Sequence, residues 1–408
     1  MIIFRNAAIL DPQLGRLLSP RDVLVDGGDI VQVSETPLTA DAAQVIDLQG
    51  KVMMPGLIDC HVHCMASHLN LGTNAKLPNV LAVLRAVPII EGMLNRGFTT
   101  VRDAGGADWA LAEATRTGVI KGPRIFPAGR AISQTGGHGD FRPRNDIMEP
   151  CFCSHKAGSI SRVADGIDAV RLAVREEIQK GATQIKIMAS GGVASPNDPV
   201  HFLGYSRDEI RAMTEEASNA GTYVMAHAYT SAAIRRAVEC GVRTIEHGNL
   251  ADLEAATVLS AHGAYAVPTL ITYEALFSEG AAFGFPPEAV AKINAVREPG
   301  LRALETLAQA GVKMGFGTDL LGQSQRLQSE EFRLRAQVLG NLEVIRSATS
   351  YAAEILMAVG RLGAIAPGAA ADLLVLDANP LTDIGVLLGQ GEHMLAIMKD
   401  GQFHKSLV

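Results

Sequence analysis

The chain has 408 residues, 48% of them apolar, and its 36 basic and 43 acidic side chains leave a net charge of −7 with histidines neutral. At about 150 residues per ordinary domain, or about 250 for a single α/β barrel, that length admits either several domains or one barrel with a smaller companion. Mild acidity without blocks of like charge argues against nucleic acid or an anionic membrane as the main partner, which leaves small molecules.

The first residues, MIIFRNAAILDP, carry no basic segment followed by an apolar one and a cleavage site, and nowhere do ~18 apolar residues run on uninterrupted. The five cysteines form no spaced framework and read as reduced thiols. Together these predict a soluble cytoplasmic protein. Residues 1–54 alternate short β-rich runs (IIFRNAAIL, RDVLVDGGDIVQV, AQVIDLQGKVMM) with Gly, Asp and Pro punctuation. The same grammar returns in ADLLVLDAN and HMLAIMKDGQFH, so 1–54 and 362–408 are expected to pair into one small β domain.

Between them, residues 55–361 alternate apolar strand candidates with amphipathic helical patterns. The strands fall at 55–63, 99–105, 124–129, 184–190, 223–228, 244–248, 264–270 and 313–319. Helical patterns such as NVLAVLRAVPIIEGMLNRG, SRVADGIDAVRLAVREEIQKG, RDEIRAMTEEASNAG and TSAAIRRAVECG end at glycine, as helix C-termini do. Eight such units predict an α/β fold of the (β/α)8 barrel type, with an open parallel sheet as the alternative. The helix-poor stretch 130–160 is expected to form a lid over the barrel mouth.

The polar residues of interest fall at the C-terminal ends of these strands, the rim where parallel α/β folds build sites. His61 and His63 end the first, Lys186 lies in the fourth, His227 in the fifth, His247 in the sixth, and Asp319 ends the eighth. Strand period two turns both imidazoles of H-x-H to one face. Four histidines, an aspartate and a lysine suit two adjacent divalent ions, because such groups in apolar strands must be paired or ligated. A lysine ammonium beside two dications would be repelled. It either pairs with a carboxylate such as Asp103 or, as the neutral amine, reacts with CO2 to give a carbamate able to bridge the metals. Water shared by two metals loses its proton near neutrality and becomes the nucleophile, with Asp319 as proton shuttle.

PGLIDCHVH, the lysine of QIKIMAS, the histidines of MAHAYT and IEHG, and the aspartate of GFGTD together resemble the amidohydrolase superfamily over essentially the whole chain. TTVRDAGG, SQTGGHGD and KIMASGGVASP are similar to the branch of Xaa-Pro dipeptidases and amino-acid carboxypeptidases close to imidazolonepropionase. The resemblance implies a β-sandwich built from both termini beside the barrel, and two zinc ions held by His61, His63, His227, His247 and Asp319 and bridged by carboxylated Lys186. It further implies a homo-oligomer, His138 polarising the scissile carbonyl, and Tyr229 near the substrate carboxylate. The implied reaction is hydrolysis of a dipeptide or N-acyl amino acid. A cyclic-amide hydrolase of the imidazolonepropionase type, or a non-catalytic barrel scaffold, are the alternatives.

A substrate carboxylate would also call for an arginine, and Arg102, Arg142 and Arg144 are the candidates. Asp140 and Asp198 could serve a basic side chain instead of proline. Cys151 and Cys153 with His155 are too tightly spaced for a zinc knuckle and read as lid residues. Cys60 and Cys64, as strand neighbours of the histidines, read as packing residues. Gly191 and Gly192 lack phosphate-loop spacing and fit a turn over the site.

Overall fold

The computed structural model describes residues 1–142, 156–195, 197–283 and 287–408. The strand Ile2–Asp11 is bent at Asn6, whose φ is 55°, where the register shifts between Phe4 and Ala7. Its first half pairs with Arg21–Asp26 and Gln44–Asp47, its second with Val52–Pro55. One strand thereby serves two sheet layers. Val52–Pro55 pairs in turn with Leu373–Leu376, a partner from the far end of the chain, and Met394–Lys399 and Gln402–Ser406 follow outward. Strand alternation divides the C-terminal apolar run. Leu373 and Val375 join Phe4, Ile9, Val23 and Met53 in the sandwich core, whereas Leu374 and Leu376 belong to the large core shared with the barrel.

The barrel strands run Leu57–Val62, Phe98–Asp103, Arg124–Phe126 continued by Ala131–Ser133, Ile185–Met188, Val224–Thr230, Thr244–Leu250 and Tyr265–Val267. All neighbouring ladders among them are parallel. The eighth segment, 314–319, touches the seventh by a bridge between Ala266 and Met314. It closes the ring on the first through Cys60 N to Phe316 O at 2.7 Å and Asp319 N to His61 O at 2.8 Å. Two glycines allow that closure: a Cβ at Gly315 would lie 2.6 Å from Ile355, and one at Gly317 would lie 2.5 Å from Val267. The fold is therefore a (β/α)8 barrel with a terminal β-sandwich.

Two local expectations change. The third strand is interrupted around Gly129, at φ 66°, rather than running through 124–129. Ser161–Val163, read as helix, is a strand parallel to Ala131–Ser133, and the helix begins only at Ile167, after Gly166. The following helix, Arg207–Asn219, starts at a capping box in which Ser206 and Glu209 satisfy each other's backbone N–H. Among the described residues no helix is long and apolar enough to cross a membrane. Cys151, Cys153, His155 and the middle of the expected lid, residues 143–155, lie outside the described residues.

Candidate metal centre

The H-x-H pair ends the first strand with ring centroids 5.5 Å apart. His63 Nδ1 meets the Gly105 carbonyl at 2.9 Å, which fixes its tautomer and aims Nε2 at Asp319 Oδ1, 3.1 Å away. His61 Nδ1 is held by Glu246 Oε2 at 2.7 Å, and its Nε2 lies 3.4 Å from the same Asp319 oxygen. That Nε2 is buried without a hydrogen-bond partner among the described residues. An orphaned imidazole nitrogen beside a carboxylate is what a metal ligand looks like, because burial without a partner otherwise costs free energy.

Two further candidates sit on strained backbone. His247 has φ 72° and Asp319 φ 52°, left-handed values that non-glycine residues seldom adopt and that concentrate at functional sites. The turn carries His247 to within 4.9 Å of the His61 ring and 4.7 Å of the His227 ring, while its Nδ1 bonds Thr269 Oγ1 at 2.8 Å. One potential ligand atom each from His61, His247 and Asp319 all lie within 4.8 Å of one another. His227 Nε2 meets Gly191 O at 3.1 Å.

Burial lowers His227 and His247 well below the ordinary histidine pKa, so both are neutral and able to donate a lone pair. Burial opposes ionisation of Asp319, but the neighbouring His61 outweighs it and holds the carboxyl well below its usual range. Desolvation also pulls buried Lys186 down to about 8, despite the attraction of Glu246 and Asp319. The pairing of Lys186 with Asp103 does not occur: the Asp103 carboxylate accepts instead from the backbone N–H groups of Cys64, Gly105 and Ala107 at 2.7–3.0 Å. Neutral imidazoles, a carboxylate and a desolvated amine form a donor set suited to a borderline divalent ion.

His138 reaches the same centre from the loop after the third strand. Its ring stacks on His227 at 4.2 Å, and its Nδ1 lies 2.7 Å from Ser195 Oγ and 3.3 Å from Asp198 Oδ2. Gly192 makes room for it, since a Cβ there would fall about 2.0 Å from the imidazole. Tyr229 packs edge-on to His227 at 4.7 Å, with its hydroxyl 2.8 Å from that of Tyr273.

The arginines are placed differently from expectation. Arg102 is fully buried and saturated inside the barrel. Its Nε donates to Cys60 O at 2.6 Å, Nη1 to Thr244 Oγ1 at 3.1 Å and the Tyr223 hydroxyl at 3.4 Å, and Nη2 to both oxygens of Glu246 at 2.9 and 3.0 Å. It has no donor left for a substrate, so it does not fill the expected role of carboxylate binder. Arg142 is paired with Asp140 through Nε and Nη2 at 2.7 and 2.6 Å, which engages both candidates together. Arg144 lies outside the described residues. Asp198 is turned toward His138 and the Gly192 N–H rather than left open to a basic substrate. Cys60 and Cys64 are buried free thiols.

Sequence reasoning missed Glu246. Burial would raise its carboxyl, but Arg102 overrides this and holds it at about 2, so it stays ionised to orient His61. Its signal was present, an acid directly before the candidate ligand His247 in the buried strand TIEHG. Tyr273 and Thr269 had none, since their partners are brought in from another strand.

With this geometry in view, the comparisons with known proteins are specific. Residues 52–403 match the model of the amidohydrolase family. Ochratoxinase of Aspergillus niger is 33% identical over 356 residues, spanning 82% of this chain and 72% of that protein. Among solved structures, an amidohydrolase is 58% identical with TM-score 0.98, and a prolidase complexed with N-methylphosphonate-L-proline is 59% identical with TM-score 0.97, each matched over 99% of both chains. A Xaa-Pro dipeptidase with methionine bound in its active site is 29% identical with TM-score 0.86, over 99% of this chain and all of that one. The chain therefore belongs to the amidohydrolase family.

Proposed function

We propose that this hydrolase of C–N bonds is a binuclear zinc dipeptidase of the Xaa-Pro type, cleaving the amide bond of a dipeptide or N-acyl amino acid and releasing the C-terminal amino acid. The observation that carries the reading is the convergence of His61, His63, His227, His247 and Asp319 at the strand ends above a buried lysine whose amine is already pulled toward neutrality. A neutral amine is the form that reacts with CO2, and desolvation of the ammonium makes that form available for carbamate formation. His61, His63 and Asp319 would hold one ion, His227 and His247 the other, with carboxylated Lys186 between them. Bound divalent metal supplies Lewis acidity and an acidified water as nucleophile.

The remaining chemistry belongs to side chains. Asp319, at the mouth, takes the proton from the attacking water and delivers it to the departing amine. His138, stacked beside His227, donates a hydrogen bond to the scissile carbonyl oxygen as negative charge develops there. The Tyr229 hydroxyl, paired with that of Tyr273, holds the substrate carboxylate apart from the nucleophile. The 59% identical prolidase with its proline-based phosphonate supports proline as the released residue. The buried thiols Cys60, Cys64 and Cys240 support a reducing, cytoplasmic setting.

The deciding experiment incubates zinc-loaded protein with a library of Xaa-Pro, Xaa-Arg and other dipeptides, N-acyl amino acids and cyclic amides, and quantifies the amino acid released. Release of proline from Xaa-Pro dipeptides is the expected result. Turnover confined to cyclic amides would replace this reading with the imidazolonepropionase-like one.

A further inference from the structure

His138 is only as well placed as the loop that holds it. The loop 191–198, after the fourth barrel strand, supplies Ser195 Oγ and Asp198 Oδ2 to its Nδ1, and Gly192 gives the ring its space. The Gly192 N–H is satisfied by Asp198 Oδ2 at 2.7 Å, but the carbonyls of Gly192, Ser195 and Asp198 all point to one spot outside the loop.

That spot is filled by the ammonium of Lys292. Its Nζ lies 3.3 Å from Gly192 O, 3.1 Å from Ser195 O and 3.1 Å from Asp198 O. A lysine has three N–H donors and here each has a carbonyl. Lys292 stands on the helix Pro287–Gln309, one turn before Val296, whose carbonyl accepts from Asn249 Nδ2 at 3.0 Å. Asn249 is two residues beyond His247 on the sixth strand. The helix is thus fastened to the strand that carries one candidate ligand, while its lysine fastens the loop that orients His138.

We propose that Lys292 is a positioning residue, clamping loop 191–198 through three carbonyls and so holding His138 in place over the metal centre. This rests on the dipeptidase reading for its kinetic consequence but not for its structural one. A charged donor matters because charge-assisted bonds to carbonyls are roughly twice as strong as neutral ones. Methionine, of similar length, would leave three carbonyls without a shared donor.

The test uses full-length zinc-loaded protein and two readouts. In hydrogen exchange, Lys292→Met should speed amide exchange in 190–199 by about tenfold or more while the barrel strands keep their protection. With an Xaa-Pro dipeptide, the same variant should lose about tenfold in kcat/KM, mainly in kcat, at unchanged metal content, and Lys292→Arg should recover to within about threefold. In a His138→Ala background Lys292→Met should cost less than about twofold, because the two act in series. Should Lys292→Met fail to fold, Lys292→Gln, which keeps one donor group, replaces it with intermediate loop protection expected. Unchanged loop exchange, or an equal kinetic loss with and without His138, would overturn the proposal. Absence of dipeptide hydrolysis by the wild type would instead sink the dipeptidase reading, while loop exchange would still decide the clamp.

Discussion

Glu246 Oε2 lies 2.7 Å from His61 Nδ1, and the same carboxylate is gripped on both oxygens by Arg102. The pair forms a buried relay in which the arginine keeps the carboxylate ionised and the carboxylate keeps His61 presenting Nε2. Glu246→Gln should therefore weaken metal affinity by about 10–100-fold, measured by competition with a chromophoric chelator. It should also lower the melting temperature, because a buried guanidinium loses its counter-charge, a loss of about 3–5 kcal/mol in comparable buried pairs. Affinity within twofold of wild type would show that His61 does not depend on this contact.

Arg102→Met offers the complementary outcome. A fully buried arginine with no donor to spare should affect stability and metal content, not substrate recognition. The Michaelis constant of the folded, metal-replete fraction should stay near wild type, and a selective rise for substrates with a free carboxylate would reinstate it as a binding residue.

Protein purified without chelator should contain two metals per chain by elemental analysis, and a reproducible value near one would favour the cyclic-amide alternative. Lys186→Ala should lose most activity and regain part of it with a short carboxylic acid and zinc. Because burial sets the Lys186 pKa at about 8, carbamate formation depends on a neutral fraction that rises with pH. That fraction is roughly one half at pH 8 and about one hundredth at pH 6. Reconstitution of the CO2-stripped apoprotein with zinc at a fixed concentration of dissolved CO2 should accordingly slow as pH falls from 8 to 6. A pH-independent rate would argue against carboxylation of this amine.

His138→Ala should lower turnover by about a hundredfold or more without changing metal content, the cost of losing a donor to a developing oxyanion. Turnover surviving within a few-fold would reduce His138 to a loop residue that merely stacks on His227.

Tyr229→Phe removes one hydroxyl of the pair it forms with Tyr273. It should raise the Michaelis constant for free dipeptides, and amidating the substrate C-terminus should then weaken binding far less in the variant than in the wild type. Equal sensitivity of the two proteins to amidation would take Tyr229 out of the carboxylate site.

The period of a strand and the direction of a parallel sheet are local rules, and they made much of this protein legible. H-x-H had to present two imidazoles on one face, and polar residues ending successive parallel strands had to meet at one rim. The same β grammar at both termini pointed to strands that pair with one another, and Val52–Pro55 pairs with Leu373–Leu376. Depth and partnership obey no such rule. Arg102 looked like a rim cation until the fold put both carboxylate oxygens of Glu246, 144 residues away, against its Nη2. His138 gained Ser195 from 57 positions along the chain. The left-handed turns of His247 and Asp319 have no residue signature, because neither is a glycine and surrounding packing holds the strained backbone. Spacing along the chain determined which faces the side chains take. Which of them meet, and which are buried beyond a substrate's reach, was decided by closure of the ring, where burial obliges every polar group to find a partner.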